Sequence, residues 1–251
     1  MKSNNELIEK RRKKIRRKKT FFFIVILITT LVTLCLKLHY FNVKNIIVSN
    51  NKILKSSQII NEASVPNNTN IFYLNIGKVQ ADIKDNPYVK DVKITRSLPS
   101  TLVIEVTERS AAFYAEKDKK FIIIDKEGLV LEQRDDLTNL KLVKLEGVNT
   151  NNAQVGKVIC ASDSAKLDEI NKITEIILNN SSCKSITKVN INDSTDIQLF
   201  YNDMCIKLGT IDDMTNKLNE AINIITKQNL SNSKGYVDVS FNGNPVYFVQ
   251  K

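Results

Sequence analysis

The stretch RSLPSTLVIEVTER, residues 96–109, carries the clearest structural signal in the chain. Its apolar side chains Leu102, Ile104 and Val106 occupy every second position, with polar or smaller side chains between them. This period of two is typical of a β-strand with one buried face. The preceding residues, 89–96, predict a second strand, and the tetrapeptide SLPS between the two predicts a tight turn.

Towards the amino terminus, the β-branched run VKNIIV at residues 43–48 predicts a further strand. Two short helices are predicted between this strand and the hairpin. Ser56 or Ser57 can cap the first helix, and Asn75 can cap the second, which Pro87 ends. The predicted order is β-α-α-β-β, in which the two helices cover one face of a small sheet and bury its apolar stripe.

Towards the carboxyl terminus, the sequence is richer in strands. Apolar residues at helical spacing predict one helix over residues 164–179 and another that contains Leu218, Ile222 and Ile225. The predicted strands are residues 121–124, 129–131, 142–148, 186–191, 197–201, 205–208, 236–241 and 245–249. This second part is therefore expected to be a mixed, β-rich domain.

Residues 20–36 form an apolar segment without a single charged side chain. Twelve of its seventeen residues are Phe, Ile, Leu or Val, and together they favour membrane insertion by roughly 4 to 7 kcal/mol. The flanking residues KLHY offer no small-residue cleavage site of the kind that ends a signal peptide. We therefore expect an uncleaved transmembrane helix over residues 20–38.

The charge of the chain is concentrated before this segment. Residues 1–19 carry ten Lys or Arg and two Glu, a local charge of +8 out of the total of +10. Positive flanks stay on the cytoplasmic side, so the amino terminus is expected inside and the body outside, as in a single-pass type II membrane protein. The nearly neutral body gives no reason to expect nucleic-acid binding.

The inventory of reactive side chains argues against catalysis. The single histidine, His39, lies at the edge of the apolar segment, which excludes a Ser-His-Asp or His-based metal site in the body. The adjacent carboxylates Asp135-Asp136 and Asp212-Asp213 point to different sides, so neither pair predicts an acid/base dyad. No cofactor or small-molecule substrate is expected. Carboxylates distant in sequence could still meet, which leaves a wall-cleaving glycosidase open.

The cysteines of the body have no pattern of a metal site. Cys160, Cys183 and Cys205 lie far apart, without a C-x-x-C pair or the spacing of zinc ligands. Because their number is odd, they cannot all pair with one another. Free thiols are therefore expected rather than a structural disulfide.

The longer stretch RSLPSTLVIEVTERSAAFY, residues 96–114, resembles the hallmark region of the bacterial cell-division family FtsQ/DivIB. Arg96, Pro99, Glu108 and Arg109 match the pattern of that family, whereas Leu98 and Ala111 replace the usual aromatic residue and proline. Further matches are an Ile-Asp-x-x-Gly step that contains Gly128, a Leu-Gly step that contains Gly209, and a closing Val-Asp-x-x-Phe-x-Gly run that contains Asp238.

The resemblance implies an α+β chain of four parts. These are a basic cytoplasmic tail (1–19), a transmembrane helix (20–38), a POTRA domain (41–109) and a β-rich FtsQ/DivIB-type domain (110–251). The implied function is that of a non-enzymatic divisome scaffold in the cell membrane at the division septum. It would bind small bitopic division proteins of the FtsL and DivIC/FtsB types outside the membrane, and through them organise the septal peptidoglycan synthases. A POTRA-bearing secretion or assembly component and a cell-wall enzyme are the alternatives.

The last predicted strand is the candidate partner-binding edge, because an open edge can accept a strand from another protein. Phe241, Tyr247 and Phe248 supply aromatic contact area, and Gly243 and Pro245 limit how the edge pairs. The alternative is that these aromatic side chains pack in the core of their own domain. For Arg96 and Glu108 we expect surface ion pairs or strand-end charges rather than partner contacts, and for Pro99 a role in shaping the turn.

Overall fold

The computed structural model of the chain describes residues 2–138 and 140–250. Met1, Asn139 and Lys251 fall within the predicted tail and second domain but lie outside the described residues. The chain divides into two compact units. The first contains the residues up to Lys84 together with Asp91–Thr107, and the second contains Asp85–Lys90 and the residues from Glu108 onward.

The first unit begins with one long helix, α1, at Lys2–Lys37. It includes the basic run as well as the apolar segment, so the helix begins well before the predicted residue 20. At 1.5 Å per residue, its 36 residues extend about 54 Å. The part from Arg11 to Lys37 is long and apolar enough to cross a membrane, and its side chains are not buried by the rest of the protein. A short 3-10 helix, His39–Phe41, follows.

The remainder of the first unit has the predicted β-α-α-β-β order. Its elements are β1 (Asn45–Ser49), α2 (Ser56–Glu62), α3 (Ile76–Lys84), β2 (Val89–Ser97) and β3 (Thr101–Glu108). Among the described residues, these strands form one three-stranded sheet in the order β1-β3-β2, with β1 parallel to β3. A parallel pair needs a crossover connection, which α2 and α3 help to supply.

The predicted apolar stripe is the core of this unit. Leu102, Ile104 and Val106 of β3 are all buried, as are Ile59 of α2 and Ile83 of α3. Burying side chains of this size stabilises the fold by about 1.5–3 kcal/mol each. The alternation therefore predicted both the strand and the face that it buries.

The predicted helix caps were half right. Asn75 caps α3, since its Oδ1 accepts a hydrogen bond from the Lys78 N–H at 3.1 Å. The predicted cap by Ser56 or Ser57 was wrong: α2 begins at Ser56, the capping position is Lys55, and no side chain bonds the helix start there. Because the helix already includes Ser56, neither serine occupies the capping position.

Arg96 has a structural role that differs from the predicted ion pair. Its Nε donates to the carbonyl of Ile71 at 2.7 Å, and its Nη2 donates to the carbonyl of Leu74 at 2.8 Å. The guanidinium group thus fastens the loop between α2 and α3 to strand β2. Pro99 lies in the β2–β3 turn, as predicted, and follows a cis peptide bond.

The second unit contains a nine-stranded sheet within the described residues, in the order β12-β11-β10-β9-β8-β7-β4-β5-β6. The strands are β4 (Ala111–Lys117), β5 (Lys120–Asp125), β6 (Val130–Arg134), β7 (Val143–Glu146), β8 (Ile186–Asn190), β9 (Ile197–Tyr201), β10 (Met204–Gly209), β11 (Gly235–Asp238) and β12 (Val246–Val249). Strand β4 is absent from the sequence predictions, and β11 ends three residues before the predicted residue 241.

Two helices connect parallel neighbours in this sheet. Helix α4 (Ser164–Asn179), with the bounds that the sequence predicted, links β7 to β8, and α5 (Met214–Lys227) links β10 to β11. Their buried residues, including Ile170, Ile173, Leu218 and Ile222, join the apolar core formed with the sheet. The helices therefore cover one face, and the other face of the strands carries mainly polar, lysine and aromatic side chains.

A buried carboxylate organises the β5–β6 hairpin. Asp125, only 1% exposed, accepts hydrogen bonds from the N–H groups of Glu127 and Leu129 at 2.8 Å and from Arg109 Nη1 at 2.7 Å. The same Arg109 nitrogen contacts Glu127 Oε2 at 2.7 Å, and Lys90 also pairs with Glu127. Hydrogen bonds from Lys90 and then from Arg109 lower the pKa of Glu127.

We predict that Arg109→Met destabilises the second unit by about 3 kcal/mol, because it leaves the buried Asp125 carboxylate without its cation. The control Lys90→Met removes only a half-exposed pair and should cost less than about 1 kcal/mol. The measurement is amide hydrogen exchange of β5 and β6 in the full chain across a urea series. Equal losses in the two variants would show that Asp125 does not depend on Arg109.

Candidate functional site

Strand β12 forms one edge of the second unit's sheet. Its sequence, VYFV, is β-branched and aromatic, which suits a strand. It pairs antiparallel with β11, with Tyr236 opposite Phe248 and Val237 opposite Tyr247. Among the described residues, β11 is its only neighbour in the sheet, so the other side of β12 is open.

The ladder determines which backbone groups face this open side. The Gln250 N–H donates to the Lys234 carbonyl at 2.8 Å. Hydrogen-bonded pairs alternate along an antiparallel ladder, so Phe248 and Val246 also direct their backbone groups towards β11. The N–H and C=O groups of Tyr247 and Val249 therefore point outward, where another strand could bind them.

The side chains of this edge are exposed rather than packed in the core. Phe241 is 47% exposed, Tyr247 49% and Phe248 53%, and Val246, which the sequence analysis did not single out, is 50% exposed. Pro245 is half-buried immediately before the strand. Gly243 lies in the exposed turn, where an added Cβ would come within 3.4 Å of two carbons of the Phe241 ring.

A glycine in β11 lets β12 approach closely. A Cβ added at Gly235 would lie 2.0 Å from the Phe248 carbonyl oxygen, a distance that no side chain could tolerate. On the open face beside it, the rings of Tyr236 and Phe248 stack with centroids 5.7 Å apart. The sequence did not predict this pair, because no local pattern indicates that residues twelve positions apart lie opposite each other.

A shallow groove of about 750 Å³ lies on the open face next to this stack. Four lysines line it: Lys144, Lys188, Lys207 and Lys234. The Lys188 ammonium lies 3.9 Å from the centroid of the Phe200 ring, and that of Lys207 lies 4.4 Å from the centroid of Tyr236. The sequence analysis missed these lysines, although Lys207 lies between the buried residues Ile206 and Leu208 in β10, an alternation that could have revealed it.

The other predicted family residues support the fold. Gly128 adopts a φ of +79° in the turn after β5, and Gly209 adopts a φ of +71° as the last residue of β10. Asp238 ends β11 and accepts hydrogen bonds from the Ser240 N–H at 3.0 Å and the Ser240 hydroxyl at 2.6 Å. Glu108 ends β3 and is half-buried. Of these positions, Asp238 lies directly opposite Val246 of β12, and Gly209 lies beside Ser240.

The candidate nucleophiles and acids of the second unit are poorly prepared for chemistry. Burial raises the pKa of Cys160 and Cys205, and it raises that of Cys183 to about 11, so the thiols stay protonated at neutral pH. The hydrogen bond from the Thr138 N–H lowers the pKa of Asp136, which makes it a poor proton donor. Asp212 accepts a hydrogen bond from the Thr210 hydroxyl at 3.0 Å.

Two family models match the chain. Residues 41–109 match the model described as "POTRA domain, FtsQ-type", and residues 112–240 match that described as "Cell division protein FtsQ/DivIB, C-terminal". The second match ends before β12.

Relatives with the same description extend over most or all of the chain. It is 48% identical to the cell division protein DivIB of Clostridium acetobutylicum, over 100% of both chains. It is 40% identical to DivIB of Clostridium botulinum strain Hall, over 88% of this chain and 87% of the relative. Similarity to the cell division protein FtsQ of Syntrophotalea carbinolica is 25% identity over 72% of this chain and 64% of the relative.

These matches confirm the predicted family, and together with the order of the elements they confirm the predicted fold class. The apolar helix α1 fits a membrane anchor. The chain therefore belongs to the FtsQ/DivIB family of bacterial cell division proteins.

Proposed function

We propose that this protein is a non-enzymatic scaffold of the divisome that binds small bitopic division proteins of the FtsL and DivIC/FtsB types through its β12 edge. In this role it colocalises its partners, and through them the septal peptidoglycan synthases. Its amino terminus lies in the cytoplasm, its body lies outside the membrane, and it acts at the division septum. The observation that carries the proposal is the open, apolar edge of β12.

Strand addition to this edge has a clear physical basis. The outward N–H and C=O groups of Tyr247 and Val249 can form hydrogen bonds with an incoming strand. The half-exposed side chains of Val246, Tyr247 and Phe248 offer apolar area on both faces of the edge. Backbone pairing supplies affinity, and contacts with these side chains supply selectivity.

The lysine-lined groove supports an acidic character for the partner segment. Lys207 on β10 and Lys234 immediately before β11 lie on the open face beside the Tyr236–Phe248 stack, inward of the β12 edge. Lys144 and Lys188 already pair with Glu146. A partner that continues from the edge onto this face therefore meets chiefly the ammonium groups of Lys207 and Lys234. Opposite charges across an interface increase association rates and select the register.

Anchoring strengthens such binding without new contacts. When the scaffold and a bitopic partner are confined to one membrane, the second contact becomes effectively intramolecular. Modest affinity at β12 is then enough to keep the proteins together. This mechanism requires no turnover, in agreement with the raised thiol pKa values of Cys160, Cys183 and Cys205.

The edge can be tested by removing one outward donor. We predict that Tyr247→Pro weakens binding of a DivIC-type ectodomain about tenfold more than Tyr247→Ala does, because only proline removes the N–H. Proline is tolerated at outward positions of an edge strand, so the β11–β12 ladder should persist. Biolayer interferometry with the full chain in nanodiscs measures both affinities, and circular dichroism checks the fold. Equal affinities would rule out backbone pairing at β12.

The apolar surface is tested separately. Phe241→Glu places a charge beside the edge and should also weaken binding about tenfold. Leu178→Glu is the matched control, because Leu178 is an exposed apolar residue, 56% exposed, on helix α4. Binding that responds equally to both changes, or to neither, would show that Phe241 lies outside the partner surface.

The charge of the groove predicts a dependence on salt. The double variant Lys207→Glu/Lys234→Glu should reduce partner affinity about tenfold at low ionic strength, and the difference should shrink as salt is added. Lys227→Glu, at the exposed end of α5, makes half of that charge change away from the groove and should have little effect. A salt-independent loss would contradict the electrostatic role.

Two experiments in cells test the membrane topology and the location of the protein. Protease added to intact protoplasts should digest the body and leave residues 1–19 protected, since the basic flank stays in the cytoplasm. A fluorescent protein fused to the amino terminus should form midcell rings in dividing cells. A protected body, or fluorescence spread evenly over the membrane, would overturn the proposed orientation or the septal location.

A further inference from the structure

We propose that four aromatic residues of the first unit, Tyr40, Phe41, Phe72 and Tyr73, rest in the lipid headgroup layer at the end of α1. We call this set the aromatic collar. The ligand is the membrane surface itself, at the face from which the carboxyl end of α1 emerges. The inference rests on α1 spanning a membrane, and it is independent of the partner-binding edge at β12.

The collar is attached to the end of the helix by side-chain hydrogen bonds. Asn70 Nδ2 donates to the carbonyls of Cys35 at 2.9 Å and Leu36 at 3.2 Å, in the last turn of α1. The last four carbonyls of a helix have no partner within it, so these bonds satisfy two of them. Asn70 Oδ1 accepts from the Phe72 N–H at 2.9 Å, which ties the collar to the same side chain.

Backbone pairing reinforces the attachment. The Ile71 N–H donates to the Phe41 carbonyl at 2.8 Å, and the Val43 N–H donates to the Thr69 carbonyl at 2.9 Å. The segment after α1 and the loop between α2 and α3 therefore run side by side. Residues from two distant parts of the sequence are brought to one place, immediately beyond the apolar helix.

Arg96 holds this loop from the other side. Its hydrogen bonds to the carbonyls of Ile71 and Leu74 bracket Phe72 and Tyr73. The loop is thus fixed at both ends, by Asn70 towards the helix and by Arg96 towards the sheet. A fixed loop loses less conformational freedom when it contacts lipid than a mobile one would.

The side chains of the collar face outward. Tyr73 is 64% exposed, Tyr40 61% and Phe72 37%. Phe41 links Tyr40 and Phe72, because its ring centroid lies 5.3 Å from that of Tyr40 and 5.4 Å from that of Phe72. Aromatic rings with a polar tip are enriched at membrane interfaces, where one end contacts acyl chains and the other contacts water.

The position of the collar matches the thickness of the interface. The polar layer on each side of the hydrocarbon core is about 5–7 Å thick. Helix α1 ends at Lys37, and Tyr40 lies in the following 3-10 helix, only four residues beyond Leu36. When the apolar segment fills the core, Tyr40 therefore lies close to the headgroup layer, and the bonded loop carries Phe72 and Tyr73 to the same end of the helix. Continuity with α1 is what favours lipid over a protein partner at this surface.

The chain contains no tryptophan, so single tryptophan reporters can be introduced. The experiment uses the full chain in nanodiscs of phosphatidylcholine and phosphatidylglycerol, with and without lipids brominated high on the acyl chain. The Tyr73→Trp variant reports on the collar. The Ile53→Trp variant is the matched control, since Ile53 is 53% exposed in the same unit but follows the far end of β1.

We expect bromine to quench about half of the emission of the Tyr73→Trp variant, whose spectrum should also shift to the blue, because an interfacial indole contacts the upper acyl chains. Emission of the Ile53→Trp variant should be unchanged. Adding Asn70→Asp to Tyr73→Trp should reduce the quenching, since a carboxylate cannot donate to the carbonyls at the negative end of α1.

A third tryptophan variant distinguishes failure of the collar proposal from failure of α1 to span the membrane. Phe23→Trp lies within the apolar segment and is quenched if α1 spans the bilayer. Quenching of Phe23→Trp together with unquenched Tyr73→Trp would place the collar in water and overturn the proposal. If Phe23→Trp is also unquenched, α1 does not span the membrane, and both the collar and the proposed anchoring fail together.

Discussion

A β-sheet that does not close on itself leaves a row of backbone donors and acceptors at each edge, and these groups must bind water or another strand. The sheet of the second unit has two such edges, β6 and β12. Strand β6 is partly covered, because Val130 donates to the Lys157 carbonyl and accepts from the Gly156 N–H. Its next part carries Glu132 and Arg134, which contact each other at 3.6 Å and put charge along the edge. Strand β12 has only apolar and aromatic side chains. Strand β6 is therefore protected from pairing with another strand, whereas β12 is available for it.

The same demand for backbone partners shapes the first unit. The end of α1 leaves carbonyls without helical partners, and Asn70 binds two of them. The loop that carries Asn70 also has free carbonyls, and Arg96 binds those of Ile71 and Leu74. Two polar side chains thus connect a helix, a loop and a sheet. A family-motif residue, Arg96, acts here through main-chain carbonyls rather than through another charge.

Periodic features were predictable from the sequence, and long-range pairings were not. The alternation of Leu102, Ile104 and Val106 gave the buried face of β3, and apolar spacing gave the bounds of α4. Strand β4 was missed because its sequence, AAFYAEK, is rich in alanine and has no clear turn before it. The last strand was predicted as a partner-binding edge, but its neighbours were not. Which residues lie opposite Phe248, or accept from Arg96, depends on tertiary packing that leaves no local trace in the sequence.

The placement of β11 determines when the β12 edge is formed in the folded protein. Among the described residues, strand β12 pairs with the sheet only through β11, and β11 is connected to β10 through helix α5. A molecule in which α5 has not packed therefore lacks an ordered β12 edge. If another protein binds this edge as proposed, it would bind completely folded molecules and not incomplete ones.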